Sequence, residues 1–136
     1  MPHPDLLPDV FVDRSLGRIE VPRLLREAGL RLVTLAERYG IPADERVTDE
    51  RWLLEAGRRG EVVFMKDTRV RYNAAEKSAI ISTGVRCFAL ARRDLPAQEM
   101  AARFIRNLES ITTVCEQAGP CLYAVHEHRI EQLPLA

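Results

Sequence analysis

Three aspartates stand at positions where a carboxylate is able to take part in metal-ion chemistry. Asp13 ends the apolar run Val10–Val12, Asp67 follows a second apolar run, and Asp49 stands in the first turn of an expected helix. Three carboxylates without a histidine suit a hard cation that prefers oxygen ligands, such as Mg²⁺ or Mn²⁺. An ion of this kind, with positions left for water and a phosphate, is the usual arrangement for phosphodiester cleavage.

Each of these aspartates also has a structural explanation. Acids at strand ends often cap the turn or helix that follows, which would account for Asp13 and Asp67. Asp49 and its neighbour Glu50 lie where the helix macrodipole already favours negative charge. However, an acid at the end of a buried strand must find a partner. Two such acids, on strands that are expected to be neighbours, favour a shared cation.

The elements that must position the acids follow one repeated pattern: a helical stretch, a glycine and then a strand-like run. The pattern occurs around Gly29, Gly60, Gly84 and Gly119. Glycine is favoured just beyond a helix because it adopts the left-handed conformation without a Cβ clash. Short apolar strands that follow helices indicate βαβ units, and therefore a mainly parallel sheet covered on both faces.

The predicted fold class is α/β, a three-layer α/β/α sandwich around a mainly parallel sheet of four or five strands. The strands are expected at Asp9–Asp13, Arg31–Leu35, Val62–Lys66, Val85–Leu90 and Cys121–Val125. The helices are expected at Val21–Ala28, Asp49–Arg58, Ala74–Thr83 and Pro96–Ala118. The segment Ala36–Val47 is predicted to be a loop, and the polar tail after Val125 an edge strand or a loose end. Ligands of open parallel sheets collect at the carboxyl ends of the strands, where Asp13 and Asp67 lie.

Length and composition indicate one globular domain. With 136 residues, the chain has the usual size of a single domain, with an expected core at about residues 9–125. The contents of 46% hydrophobic and 29% charged residues are those of a soluble protein. No apolar run approaches the roughly 18 residues that a membrane span needs, and the amino terminus lacks a secretory signal. A cytoplasmic location without membrane contact is therefore expected.

Cysteine and histidine offer little metal chemistry. The three cysteines, Cys87, Cys115 and Cys121, are too few and wrongly spaced for a disulfide framework or a Cys-x-x-Cys metal site. Cys87 and Cys115 are expected to be buried and reduced. His126 and His128 have a spacing that is able to chelate zinc, but no third ligand is evident, so a solvent-facing edge strand is the preferred interpretation.

The charge is unevenly distributed along a chain whose formal net charge is zero. Residues 66–106 carry nine Lys/Arg and four Asp/Glu. Solvated helix faces are the usual explanation, but a basic segment beside acids also suits a phosphate backbone near metal ligands. Tyr72 is able either to stack on an unpaired base or to pack half-buried. The best candidates for contacting RNA phosphates lie at or just after strand ends: Lys66, Arg69, Arg71, Arg92 and Arg93.

Several short motifs, taken in order, resemble the PIN-like toxins of bacterial VapBC systems, and most closely a compact branch of PIN-like domains. The main three are Phe11–Leu16, Thr48–Leu53 and Val63–Arg69. The stretches Tyr72–Glu76, Gly84–Arg86 and Leu90–Leu95 are also similar to that branch. Each motif is short, so the resemblance depends on the order and spacing of all of them over roughly residues 9–125.

The resemblance implies a Mg²⁺-dependent ribonuclease that acts as the toxin of a type II toxin–antitoxin pair. RNA and a cognate antitoxin would be its partners, and a homodimer is left open. Asp13, Asp49 and Asp67 would be the metal ligands and catalytic residues. Second candidates are Glu50, which could take over the role of its neighbour, and Glu76 or Asp94, which could supply the fourth acid often present in PIN domains.

Two arginines depart from the family pattern. Arg14 directly follows Asp13 where related sequences often have a second acid, and Arg69 stands where an acid can also occur. Fewer acids mean weaker metal binding, so a catalytically inactive PIN-like module that binds protein or nucleic acid is the alternative. A phosphoryl-transfer receiver domain fits poorly, because it needs paired acids at the end of its first strand.

Overall fold

The computed structural model describes residues 2–135, which form one six-stranded sheet with helices on both faces. The strand order is β2-β1-β3-β4-β5-β6; the first five strands are parallel and β6 is antiparallel to β5. The predicted α/β class is confirmed, and the sheet has one strand more than expected because the tail after Val125 forms an edge strand. The strands are β1 Val10–Val12, β2 Leu32–Thr34, β3 Val62–Met65, β4 Arg86–Leu90, β5 Cys121–Val125 and β6 Ile130–Leu133.

Six α-helices connect the strands within residues 2–135. They are α1 Glu20–Glu27, α2 Leu35–Tyr39, α3 Asp49–Arg58, α4 Ala74–Thr83, α5 Ala97–Arg106 and α6 Leu108–Val114. Short 3₁₀ helices at Arg14–Leu16, Ala43–Arg46 and Thr68–Tyr72 lie beside them. None of the helices described has the length and apolar character needed to cross a membrane.

The sheet separates two apolar layers, because successive strand residues point to opposite faces. On one face, Phe64 of β3 stacks on Phe104 of α5 with ring centroids 4.3 Å apart, and α1 and α6 complete this layer. On the other face, Phe11 of β1 stacks on Trp52 of α3 at 5.2 Å, and α4 completes the layer. Helices therefore cover both faces, as a three-layer α/β/α sandwich requires.

The position of β1 between β2 and β3 creates the crevice in which a site can form. From β1 the chain passes through α1 to β2, and then through α3 to β3 on the other side of β1. The connections that leave the carboxyl ends of β1 and β3 run to α1 and α4, respectively. Because α1 and α4 pack on opposite faces, these two connections diverge beyond the strand ends. Ligands of open α/β sheets bind at such a switch in strand order.

The single long helix predicted at Pro96–Ala118 is in fact two helices, α5 and α6. They meet at Asn107, a buried residue whose side-chain amide donates to the carbonyls of Arg103 at 2.8 Å and His126 at 3.0 Å. An asparagine side chain that bonds backbone carbonyls competes with the regular helical pattern. The apolar stripe nevertheless continues through both helices, because Phe104 and Ile111 share one core.

The predicted loop at Ala36–Val47 contains regular structure. A capping box between Thr34 and Glu37 begins α2, and the 3₁₀ helix that follows is held by a hydrogen bond from Arg18 to the buried Asp44 at 2.8 Å. The prediction that His126 and His128 lie on an edge strand was wrong, because residues 126–128 form the turn between β5 and β6. All three cysteines are free and buried, as predicted for Cys87 and Cys115.

Candidate functional site

A cleft of about 570 Å³ opens beyond the carboxyl ends of β1 and β3. It brings together all three aspartates predicted as metal ligands, together with one acid from the second set. Glu50 and Asp94 lie outside this lining: Glu50 is exposed, and Asp94 pairs with Arg92 at 2.8 Å. The polar and aromatic residues of the cleft are Asp13, Ser15, Asp49, Trp52, Asp67, Arg69, Tyr72, Asn73 and Glu76.

Asp13 is a buried carboxyl group at the end of β1. Its side chain is the N-cap of the 3₁₀ helix that follows, where Oδ1 accepts a hydrogen bond from the Ser15 amide at 3.2 Å. Burial raises the pKa of Asp13 to about 7; the Ser15 hydroxyl opposes this shift and the charge of Asp49 adds to it. Within residues 2–135, no salt bridge reaches Asp13. Its negative charge is therefore largely uncompensated.

Ser15 joins the ends of the two strands that flank the crevice. Its hydroxyl donates to Oδ1 of Asp13 at 2.5 Å and accepts from the amide of Lys66 at 3.0 Å. The orientation of Asp13 is thereby fixed relative to β3. Sequence reasoning assigned no role to Ser15, although a hydroxyl residue two positions after a strand-end acid is typical of such local turns.

Asp49 is oriented by a buried tryptophan. It is the first residue of α3, whose N-cap Thr48 accepts from the amide of Arg51 at 3.2 Å. The indole Nε1–H of Trp52 donates to Oδ1 of Asp49 at 2.9 Å. Since Trp52 is buried and stacks on Phe11, it holds the carboxylate toward the cleft. Trp52 belongs to the motif Thr48–Leu53, but the sequence gave no sign of this hydrogen bond.

Glu76 is the fourth acid of the cleft. It lies in the first turn of α4, where its amide donates to the Asn73 side chain at 3.0 Å. Partial burial raises the pKa of Glu76, and the nearby carboxylate of Asp49 raises it further. Asp13, Asp49 and Glu76 together form the carboxylate wall of the cleft.

A close contact between α3 and α4 brings the two helix starts together. Gly57 of α3 lies against Thr83 of α4, and a Cβ at this glycine would be only 2.0 Å from the Thr83 hydroxyl oxygen. No larger residue fits without a shift of one helix. Gly57 therefore helps to place Asp49 and Glu76, each in the first turn of its helix, in the same cleft.

Asp67 follows β3, the strand beside β1, and is neutralised by arginines. It caps the 3₁₀ helix after β3, accepting from the amide of Arg69 at 2.9 Å. The guanidinium group of Arg69 lies 2.7 Å from Oδ2, and that of Arg93 lies 3.6 Å from the same atom. Arg69 lowers the pKa of Asp67, and the charge of Arg93 adds to the effect. Asp67, Arg69 and Arg93 form the arginine wall.

The other predicted RNA-binding cations lie around the cleft rather than in its lining. Arg71 lies against the ring of Tyr72, and Arg92 is exposed beside Asp94. Lys66 is half-buried at the end of β3. Of the five predicted cations, Arg69 lines the cleft. Arg93 lies outside the lining but forms a salt bridge with Asp67, which is part of it.

The side chains that line the cleft suit a hard cation, but the acids described do not converge on one point. Among the residues described, no three Asp, Glu, His or Cys side chains converge at metal-binding distance. Arg14 lies 4.0 Å from Asp49, and Arg69 pairs with Asp67, so arginines now provide the positive charge beside two acids. The available donors are nevertheless carboxylates, the ligands that Mg²⁺ and Mn²⁺ prefer, and the buried Asp13 has no salt-bridge partner in the part of the chain that the structure describes.

Comparison with known proteins identifies relatives of the chain. Residues 8–92 match a family model described as "PIN like domain". The chain is 41% identical over 132 residues to a protein of Mycobacterium tuberculosis (strain ATCC 25618 / H37Rv) named "Putative ribonuclease VapC45", and the alignment covers 95% of this chain and 96% of that protein. No solved structure matches the chain. The four acids of the cleft all lie within the segment that the family model matches.

Proposed function

The chain belongs to the family of PIN like domains, and we propose that it is a Mg²⁺- or Mn²⁺-dependent endoribonuclease that acts as the toxin of a type II toxin–antitoxin pair. The cleft that contains Asp13, Asp49 and Asp67 is the observation that carries this proposal. A relative named as a ribonuclease supports RNA as the substrate. Its VapC name and the VapBC resemblance support a cognate antitoxin as a partner.

The four acids have distinct parts in this proposal. Asp13, Asp49 and Asp67 would hold the ion, with Glu76 as the fourth acid. A bound Mg²⁺ would neutralise charge on the phosphate and lower the pKa of a water molecule, so that the water becomes a nucleophile. The residues of the chain position the carboxylates for this chemistry. Ser15 fixes Asp13, and Trp52 fixes Asp49.

The arginine wall would hold the RNA. Arg69 and Arg93 neutralise Asp67 in the structure. If Asp67 instead faced a metal ion, both guanidinium groups would be free to bind a phosphate, whose geometry matches the planar fork of arginine. Lys66, Arg71 and Arg92 would extend this positive surface. Phosphate contacts of this kind position RNA without reading its sequence.

Cleavage of single-stranded RNA by wild type and by Asp67→Asn, each with and without EDTA, tests the proposal. We expect both the substitution and EDTA to lower the cleavage rate by orders of magnitude, because a metal ligand or the metal is lost. Asparagine keeps the shape of the side chain, so the melting temperature should change little. Asp9→Asn, which alters an exposed acid paired with Arg31 outside the cleft, is the matched control. Equal cleavage by wild type and Asp67→Asn would contradict the proposal.

A catalytically inactive PIN-like module that binds protein or nucleic acid is the second candidate. The pairing of Asp67 with two arginines favours it. Metal that binds only the folded state raises the melting temperature, so a shift in millimolar Mg²⁺ or Mn²⁺ supports the nuclease. No shift, together with no RNA cleavage and no toxicity on expression in a host cell, would favour the module. Toxicity that is suppressed by the product of an adjacent short reading frame would support the antitoxin pairing.

A further inference from the structure

Tyr72 is an aromatic residue whose exposure is not explained by packing. It is 72% exposed, whereas the four phenylalanines of the chain are completely buried. It ends the 3₁₀ helix that Asp67 caps, and it lines the same cleft as the acids. A large ring is therefore held at the mouth of the cleft, where the fold gains little from it.

Arg71 restrains this ring from one side. Its Nη2 donates to the Tyr72 hydroxyl at 2.7 Å, and its guanidinium carbon lies 4.5 Å from the ring centroid. Its Nη1 also donates to the carbonyl of Thr68 at 3.3 Å, which ties the pair to the 3₁₀ helix. One face of the ring is thus covered, and the high exposure shows that the rest is open. A ring that is ordered before a ligand arrives loses less entropy on binding.

We propose that the open face of Tyr72 is a stacking site for an unpaired nucleobase of RNA bound in the cleft. The inference rests on the proposed function, because it places a base beside a phosphate that faces Asp13, Asp49 and Asp67. Every base has a π-face, so an aromatic platform tolerates different sequences. Bases in a duplex are already stacked, and protein side chains reach them mainly in loops and single strands. Tyr72 would therefore select single strands rather than a particular sequence.

Three variants separate stacking from other effects. Tyr72→Leu removes the π-face and keeps apolar bulk, whereas Tyr72→Phe keeps the ring and removes the hydroxyl group that Arg71 contacts. Ile19→Ala, at an apolar residue that is 75% exposed and lies outside the cleft lining, is the matched control. Fluorescence anisotropy would give the Kd of a labelled, unstructured single-stranded RNA and of the same RNA as a duplex. Ca²⁺ replaces Mg²⁺ because it also takes oxygen ligands, and a gel of each sample checks that the RNA is intact.

We expect Tyr72→Leu to raise the Kd for single-stranded RNA about tenfold, since stacking on an aromatic residue contributes an effect of about this size. Its Kd for duplex RNA should stay within about twofold of wild type, as should both values for Ile19→Ala. Tyr72→Phe should stay within about threefold. The slope of log Kd against log salt should be the same in Tyr72→Leu and wild type, because no charge is removed.

The fluorescence of a base analogue reports stacking independently of RNA affinity. A 2-aminopurine placed in the single-stranded RNA should lose fluorescence on binding to wild type and to Tyr72→Phe, because stacking quenches it, and lose less on binding to Tyr72→Leu. If wild type binds and cleaves RNA but Tyr72→Leu matches it in Kd and quenching, the stacking site is wrong while the proposed function stands. If wild type binds neither form of RNA, the proposed function and the stacking site both fail.

Discussion

The pKa values of the aspartates on the two walls of the cleft are shifted in opposite directions. On the carboxylate wall, burial and the charge of Asp49 raise the pKa of Asp13 to about 7. On the arginine wall, Arg69 and Arg93 lower the pKa of Asp67. Both aspartates follow strands that are neighbours in the sheet and both cap a 3₁₀ helix. Their surroundings, rather than their local structure, therefore decide how readily each one carries a charge.

The ion pair of Arg38 and Glu61, which lies outside the cleft, shows how this fold stabilises a buried acid. Arg38 and Glu61 form a nearly buried pair, in which two guanidinium nitrogens donate to the two carboxylate oxygens at 2.7 and 2.5 Å. Removing one partner of such a pair is costly, because the other charge is left buried. Asp13 is as deeply buried as Glu61 but has no such partner among residues 2–135. Burial without an ion-pair partner thus separates Asp13 from an acid that serves stability alone.

The largest effect is expected from Asp13→Asn. It should lower RNA cleavage by a factor on the order of a hundred or more, because a proposed metal ligand is lost. At about pH 8 and without metal, it should also raise the free energy of unfolding, because it removes an uncompensated buried charge. Single-turnover cleavage and urea unfolding measure the two effects, with Asp9→Asn, an exposed aspartate paired with Arg31, as the control. A variant that is both inactive and less stable would mean that Asp13 is mainly a structural cap.

Trp52→Phe should weaken metal binding without removing a ligand. Phenylalanine keeps a ring against Phe11 but has no N–H to donate to Asp49. Loss of a group that orients a metal ligand typically lowers metal affinity by about tenfold or more. Calorimetric titration with Mn²⁺ would measure this change. Phe11→Leu disturbs the same stack and leaves the hydrogen bond intact, so an equal loss of affinity in that variant would show that packing alone is responsible.

Arg69→Gln should change metal affinity and RNA affinity in opposite directions. Mn²⁺ affinity should rise, since the cation that competes for Asp67 is gone. RNA affinity should fall a few-fold, and the slope of log Kd against log salt should decrease by about one phosphate contact. Arg31→Gln breaks a similarly exposed pair with Asp9 outside the cleft lining and should change neither. If Arg69→Gln left Mn²⁺ affinity unchanged, competition for Asp67 would be excluded.

The sequence predicted the main features of the fold and the acids that share the cleft. Apolar runs before Asp13 and Asp67 placed both acids at strand ends, and the repeated helix–glycine–strand pattern indicated a parallel sheet. The split of the last helix was not predictable from periodicity, because its cause is a long-range contact from Asn107 to the carbonyl of His126. The capping box of Thr34 and Glu37 was visible in the sequence, but a helix as short as α2 leaves almost no periodic signal.

Charge compensation within the cleft was the least predictable feature. Arg69 was recognised as a basic residue, but its pairing with Asp67 depends on a 3₁₀ turn that folds the two side chains together. The link between Glu76 and Asp49 depends on the close packing of α3 and α4 at Gly57. Residue types and spacing therefore named Asp13, Asp49 and Asp67, and the family resemblance added Glu76, whereas tertiary packing determined which acid has a partner.

Thermal unfolding of wild type and Asp13→Asn at about pH 5 and about pH 8, each in EDTA and in Mg²⁺, tests whether the carboxylate wall is a metal site. The pKa of Asp13 is raised from 3.8 to about 7, so between these values the folded state holds a proton that the unfolded state releases. Stability without metal should therefore fall as the pH rises through this window.

We expect the wild-type melting temperature in EDTA to fall from about pH 5 to about pH 8 relative to that of Asp13→Asn. Mg²⁺ should restore it at about pH 8 and have little effect at about pH 5, where the ion must displace a proton. The variant should respond weakly to Mg²⁺ at both values. If Mg²⁺ did not change the wild-type melting temperature at about pH 8, or stabilised the variant equally, a metal held by Asp13 would be contradicted.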